Sequence, residues 1–152
     1  MAKIRLTKRF TFEAAHALEG YDGKCREIHG HSYKLFVTVA GEPCSDGNDP
    51  KYGMVIDFGV LKKIVGEEIV DRLDHAFVLR GTADGEAIKD ALAARFGNIV
   101  TVDYQPTCEN MLVDFAERLG RRLPEGVKLH SLRMYETESS YAEWFAEDQP
   151  FR

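Results

Sequence analysis

The chain has 152 residues, 44% hydrophobic and 30% charged, a mixture that fits one domain around a single core. A net charge of -5 excludes a general nucleic-acid surface, because displacing counterions from a polyanion takes a basic face; a phosphate-bearing ligand would have to meet a local cluster of Lys or Arg. No secretory pattern opens MAKIRLTKRF and no stretch approaches the ~20 apolar residues of a membrane span, so a cytoplasmic protein is expected, with Cys25, Cys44 and Cys108 as reduced thiols.

In chain order, Ile4, Leu6, Phe10, Phe12 and Ala14 form a period-two face, which predicts a strand with His16 at its end on the same side. A Gly- and charge-rich loop over 18–28 precedes HGHSYKLFVTVAG, where Tyr33, Leu35, Val37 and Val39 alternate and His29 and His31 share their face. After the turn-rich GEPCSDGNDPKYG, Asp57 is placed to cap a helix bearing Leu61, Ile64, Val65, Ile69 and Leu73 and ending near RLDH. Residues 80–105 read as an insertion, with a helical stripe of Ile88, Ala91, Leu92 and Phe96 followed by a short strand, NIVTV. Thr107 then caps a second long helix along Leu112, Phe115, Ala116, Leu119 and Leu123, and LPEGVKLHSLRMYET and YAEWF return to strand.

Two strand pairs around two amphipathic helices predict one α+β domain over 1–152, an antiparallel sheet with helices on one face. The other face has to be covered as well, and Tyr33, Phe36, Tyr141 and Trp144 enrich the strands, so association of subunits into a closed barrel is expected.

Residues two apart on a strand project to one side, so His29 and His31 can share an ion, with Gly30 clearing space between the rings. If the first two strands pair antiparallel, His16 joins them. Three imidazoles leave one tetrahedral position open, the pattern of catalytic zinc. Cys25 reads as a fourth ligand, a free thiolate beside the metal or a plain loop thiol. Asp74 and His75, adjacent at a helix end, form a carboxylate–imidazole pair able to move protons. Glu136 ends an apolar strand face, where a carboxylate either meets paired N–H donors of a ligand or stays solvated. Glu109 has a sufficient reason in the helix dipole, His130 reads as a packed strand residue, and Cys44 as a loop thiol.

Together and in this order, FTFEAAH, C-x3-HGHSY, GMVIDF, RLDHAF, PTCEN and YET resemble the 6-pyruvoyl- and 6-carboxy-tetrahydropterin synthase family over most of the chain. The insertion near 80–105 and the tail TESSYAEWFAEDQPFR depart from its pattern. The resemblance implies a tunnelling fold: a four-stranded antiparallel sheet with two helices on one face, joined into trimeric barrels that stack as a homohexamer with sites between subunits. It implies zinc on His16, His29 and His31, and Cys25 as proton acceptor rather than ligand. Asp74 with His75 would be a relay, drawn from the same or a neighbouring subunit. Glu136 would be the pterin anchor, with Thr107 and Glu109 in contact with the pterin. A thiol separated by three residues from HGH is similar to the carboxy-forming branch. The implied activity converts 7,8-dihydroneopterin triphosphate to 6-carboxy-5,6,7,8-tetrahydropterin, acetaldehyde and triphosphate, toward queuosine and other 7-deazaguanines. Alternatives are the pyruvoyl-forming reaction on the same substrate and a non-catalytic zinc or pterin binder. Lys24, Arg26 and Arg133 are the candidates for the triphosphate.

Overall fold

The computed structural model describes residues 2–150. Strands β1 (Ile4–His16) and β2 (His29–Gly41) pair antiparallel along their whole length, and β5 (Lys128–Thr137) and β6 (Ser140–Phe145) extend the sheet beyond β2. Alternation sets the two faces: Phe12, Ala14 and His16 of β1 and Tyr33, Leu35, Val37 and Val39 of β2 are buried, while their neighbours in sequence point the other way.

The sheet has six strands, not four, and is mixed rather than purely antiparallel. Its order is β4-β3-β1-β2-β5-β6, with β3 (Ala76–Arg80) parallel to the end of β1 and β4 (Ile99–Val102) parallel to β3. The expectation failed at AFVLR. A short parallel strand buried on both sides shows an unbroken apolar run, which periodicity cannot separate from the end of a helix.

Three helical stretches accompany the sheet, one more than the two-helix layer expected. The first, α1, runs from Phe58–Val65 through a π-helical turn, Gly66–Val70, into Asp71–Leu73. Asp57 caps it by accepting the Gly59 N–H at 2.7 Å, and Leu61, Ile64, Val65, Ile69 and Leu73 enter the core. Helix α3 (Cys108–Gly120), capped by Thr107, lies on β5 and β6 and buries Met111, Leu112, Phe115, Ala116 and Leu119. Between them α2 (Ala83–Leu92) behaves differently: Gly85 is its buried residue, and the stripe expected to pack leaves Ile88 and Phe96 exposed. This helix is held by its Thr82 cap and a close backbone approach, not by an apolar face.

That approach yields opposite outcomes for two helical glycines. A methyl at Gly85 would overlap the carbonyl oxygen of Arg80, whereas one at Gly120 meets nothing within 4 Å. Gly85→Ala should therefore lower stability by about 1–3 kcal/mol, and Gly120→Ala should raise it by about 0.5 kcal/mol through the unfolded chain. Urea midpoints at unchanged m-value measure both.

Candidate metal centre

The β1–β2 register sets His16 directly opposite His29 and Ala14 opposite His31, so three imidazoles emerge on one face at one end of the hairpin. One ring nitrogen from each lies within 4.8 Å of the others. Gly30 has another role than the one expected. It faces away from the rings, where a Cβ would stand 3.3 Å from the Ala14 carbonyl oxygen, so it permits close strand approach.

The hydrogen bonds fix the tautomers. His16 Nδ1 lies 2.7 Å from the Pro106 carbonyl and His29 Nδ1 2.7 Å from the Glu27 carbonyl. A carbonyl only accepts, so both Nδ1 atoms carry the proton and both Nε2 atoms present lone pairs. Those Nε2 atoms face each other 3.0 Å apart. Two lone pairs at that separation repel unless a positive centre sits between them. His31 Nε2 is buried with no hydrogen-bond partner, 3.5 Å from Glu136 Oε1. Burial pushes His16 and His31 below the ordinary histidine pKa, which keeps them neutral and ready to donate to a cation. A divalent metal that favours imidazole fits this donor set.

Tyr33, fully buried two residues beyond His31 on the same strand face, supports the rings from below. Its ring centroid is 5.5 Å from that of His31, and it stacks on Phe12 at 5.0 Å. The alternation of β2 marks this position in the sequence. The two carbonyls that orient the imidazoles leave no such mark, since any residue supplies one.

His16 also borders a cavity of about 350 Å³ that gathers Cys25, Thr107, Glu109 and Glu136 from three separate segments. Cys25, in the short 3₁₀ turn Lys24–Arg26, is half-buried and is not part of the three-histidine cluster. Thr107 Oγ1 accepts the Asn110 N–H at 3.3 Å as the cap of α3, and Glu109 sits in the first turn. Glu136 occupies an irregularity in the β5–β6 ladder: Tyr135 pairs with Tyr141 and Thr137 with Ser140, which leaves Glu136 as the extra residue of a bulge. By the period of β5 Glu136 shares the face of Leu132 and Met134, and its Oε1 lies 3.5 Å from His31 Nε2. Cys108 lines the cavity too. Burial, then the Glu136 and Glu109 charges, push its thiol up to about 12, so it remains protonated and donates to the Met134 carbonyl.

Asp74 and His75 stand elsewhere. Among the described residues His75 is the single non-glycine with positive φ, 59°, pinned by its N–H to the Glu13 carbonyl at 2.6 Å. Asp74 accepts the Glu13 N–H at 2.9 Å and faces His75 Nδ1 at 3.1 Å; the Glu13 amide, with help from His75, holds its carboxyl below the usual range. The His75 side chain is 78% exposed and borders a different cavity, with Glu13, Ser32 and Ala76. Within one chain the pair does not line the cavity of Cys25. Nor do Lys24, Arg26 or Arg133; Arg133 Nε is bonded to Glu143 at 2.8 Å. His130 meets Phe145 edge to face, and Cys44 sits in the loop after β2.

The 6-pyruvoyl tetrahydropterin synthase family matches residues 5–147. The chain is 37% identical over 142 residues to the 6-carboxy-5,6,7,8-tetrahydropterin synthase of Haemophilus influenzae, covering 93% of this chain and 98% of that one. To the enzyme of the same name from Rickettsia typhi it is 31% identical, over 92% of this chain and 99% of that one. The structure of 6-pyruvoyl tetrahydropterin synthase from Caenorhabditis elegans superposes with a TM-score of 0.69 at 24% identity, covering 96% and 97% of the two chains, and shares the fold.

Elemental analysis of purified variants tests the metal centre: His16→Ala and His31→Ala should each lose bound divalent metal, and Cys25→Ala should keep it. Because His16 and His31 titrate below 6.5, protons compete with the metal only under more acid conditions. Dialysis over a pH series should show metal retained at pH 6.5 and released further down.

Proposed function

The chain belongs to the 6-pyruvoyl tetrahydropterin synthase family, and on that premise we propose that it is a zinc-dependent 6-carboxy-5,6,7,8-tetrahydropterin synthase. It would act on 7,8-dihydroneopterin triphosphate, releasing acetaldehyde and triphosphate at an early step of queuosine synthesis. The observation that carries the reading is a set of three imidazoles whose ring nitrogens lie within 4.8 Å of one another, beside a cavity that holds a separate thiol and a carboxylate.

Zinc on His16, His29 and His31 would supply a Lewis acid that lowers the pKa of the substrate's side-chain hydroxyls. Cys25, outside the cluster, acts as the proton acceptor between side chain and ring. Glu136 accepts two N–H bonds from the pterin's 2-amino group and N3, a charge-assisted fork that fixes the ring's orientation. Thr107 and Glu109 border the same space and contact the ring's edge.

The Asp74–His75 relay comes, in this reading, from a second subunit, because in its own chain it borders another cavity. Open strand edges support such an assembly. β3 covers β1 only at Ala14–His16, which leaves its outer edge from Ile4 to Glu13 without a partner strand, and β6 ends the sheet on the other side. Pairing those edges closes a trimeric barrel, and two barrels stacked give the hexamer. No helix of the described residues is long and apolar enough to cross a membrane, in keeping with a cytoplasmic enzyme.

Incubation with 7,8-dihydroneopterin triphosphate should release acetaldehyde, read by a coupled alcohol dehydrogenase assay; triphosphate release without acetaldehyde would sink the carboxy-forming reading. Cys25→Ala should lose about 10²- to 10⁴-fold in turnover while retaining metal. Glu136→Gln should lower kcat/KM by roughly 10- to 100-fold, the worth of a charged hydrogen bond.

A further inference from the structure

Two residues of the 80–105 stretch reach the loop that carries Cys25. Thr82 Oγ1 donates to Glu19 Oε2 at 2.9 Å, and Gln105 Nε2 donates to the Glu19 carbonyl at 2.8 Å. Glu19 belongs to the loop between β1 and β2. The pairing of His16 with His29 fixes the two ends of that loop, and its arm closes on itself where the Leu18 N–H meets the Cys25 carbonyl at 3.0 Å. A displacement of Glu19 therefore passes to Leu18 and on to Cys25, both of which border the cavity of His16 and Glu136.

Gln105 is tied to the same region through its backbone. Its carbonyl accepts the Thr107 N–H at 2.7 Å and Asn110 Nδ2 at 3.0 Å, which sets the entry to α3, and the next carbonyl, that of Pro106, orients His16. Folding alone does not ask for the amide. Gln105 Oε1 is buried with no hydrogen-bond partner among the described residues, a cost that an apolar side chain would avoid. Thr82 is doubly engaged as well: it caps α2 by accepting the Gly85 N–H at 3.1 Å while it donates to Glu19. With Gly85 as its buried residue, α2 adds little to the core; what it delivers is Thr82 to the loop.

We infer that Thr82 and Gln105 are positioning residues for Cys25, and that the 80–105 stretch braces the thiol loop from outside the cavity. The inference rests on the reading of Cys25 as the proton acceptor. A general base works within hydrogen-bond reach of the proton it takes, and a misplacement of about an ångström is costly, so one further point of attachment keeps the thiol in range for more of the time. Neither Thr82 nor Gln105 borders the cavity, so both act through Glu19 and leave ligand binding alone.

The test is steady-state turnover of 7,8-dihydroneopterin triphosphate by the full-length, metal-loaded protein, beside alkylation of Cys25 by iodoacetamide read from its peptide by mass spectrometry. Gln105→Leu should lower kcat by roughly twofold to tenfold, the worth of one hydrogen bond, with KM and metal content as in the parent. Thr82→Asp keeps a capping oxygen for α2 but sets a second carboxylate against Glu19, and should lower kcat to a similar extent. Adding Glu19→Gln to Thr82→Asp restores a donor–acceptor pair, and kcat should return to within about twofold of the parent, a rescue that a merely structural threonine would not show. In Gln105→Leu and Thr82→Asp the half-buried Cys25 should alkylate severalfold faster, while Cys44, in the loop after β2, keeps the parent's rate. If the two substitutions combined leave kcat unchanged, the bracing is overturned while the synthase reading stands. If the parent does not turn the substrate over, or Cys25→Ala retains full turnover, the proton-acceptor reading falls, and this inference with it.

Discussion

The site depends first on the antiparallel register of β1 against β2. His16 is the last residue of one strand and His29 the first of the other, and direct pairing of these two is what turns a sequence separation of thirteen residues into adjacent rings. The side-chain period of a strand is two, so a slip of one residue would carry His29 and His31 to the opposite face along with Tyr33, Leu35, Val37 and Val39. The same pattern that buries the core therefore fixes the face on which the imidazoles gather. Cost follows the same path: the facing lone pairs of His16 and His29 and the unpartnered nitrogen of His31 are an unfavourable arrangement for folding alone, and the hairpin's buried rows of Phe12, Tyr33 and Leu35 have to hold them there.

Where function was legible, it was legible through periodicity. The odd-numbered face of β2 placed His29 and His31 with buried residues, the even-numbered face of β1 did so for His16, and antiparallel pairing of neighbouring strands is the common case. Both long helices, with their caps at Asp57 and Thr107, followed from the same kind of reading. Periodicity failed where it has nothing to count. AFVLR has only four consecutive apolar residues before Arg80, too short to declare a strand, and it proved to be β3. The stripe on α2 was real as a pattern but not as a core face, because a close backbone contact through Gly85 holds that helix instead.

The orientation of the site was less legible than its membership. Which nitrogen of each histidine is free depends on the carbonyls of Pro106 and Glu27, and backbone oxygens carry no residue signature. Alternation along β5 put Glu136 on the face of Leu132 and Met134, whereas the bulge at that residue is a mismatch between two strands that neither shows by itself. Cys108, read in the sequence as a reduced thiol and as part of PTCEN, shares the cavity because α3 begins there, and burial leaves it a hydrogen-bond donor, while the half-buried Cys25 lies in the turn Lys24–Arg26. Two thiols in one cavity are thus separated by environment and not by residue type.

Apart from His31, which lies within β2, the groups with chemical potential sit where regular structure is interrupted. His16 and His29 are strand termini, Glu136 is a bulge residue, Thr107 and Glu109 open a helix, Cys25 lies in a single 3₁₀ turn and His75 adopts a left-handed backbone conformation between helix and strand. In the middle of a strand or helix, backbone hydrogen bonds and neighbouring side chains leave little freedom to aim a polar group; at an end, the direction is set by a few specific bonds such as those from Glu13 to Asp74 and His75. A sheet whose ends and irregularities meet in one region can collect a thiol, a carboxylate and three imidazoles at the border of its apolar core, and among them His16 alone is buried. The Asp74–His75 pair obeys the same rule, and His75 borders a second cavity, which is lined by His31 and Gly30 and lacks the thiol of the first.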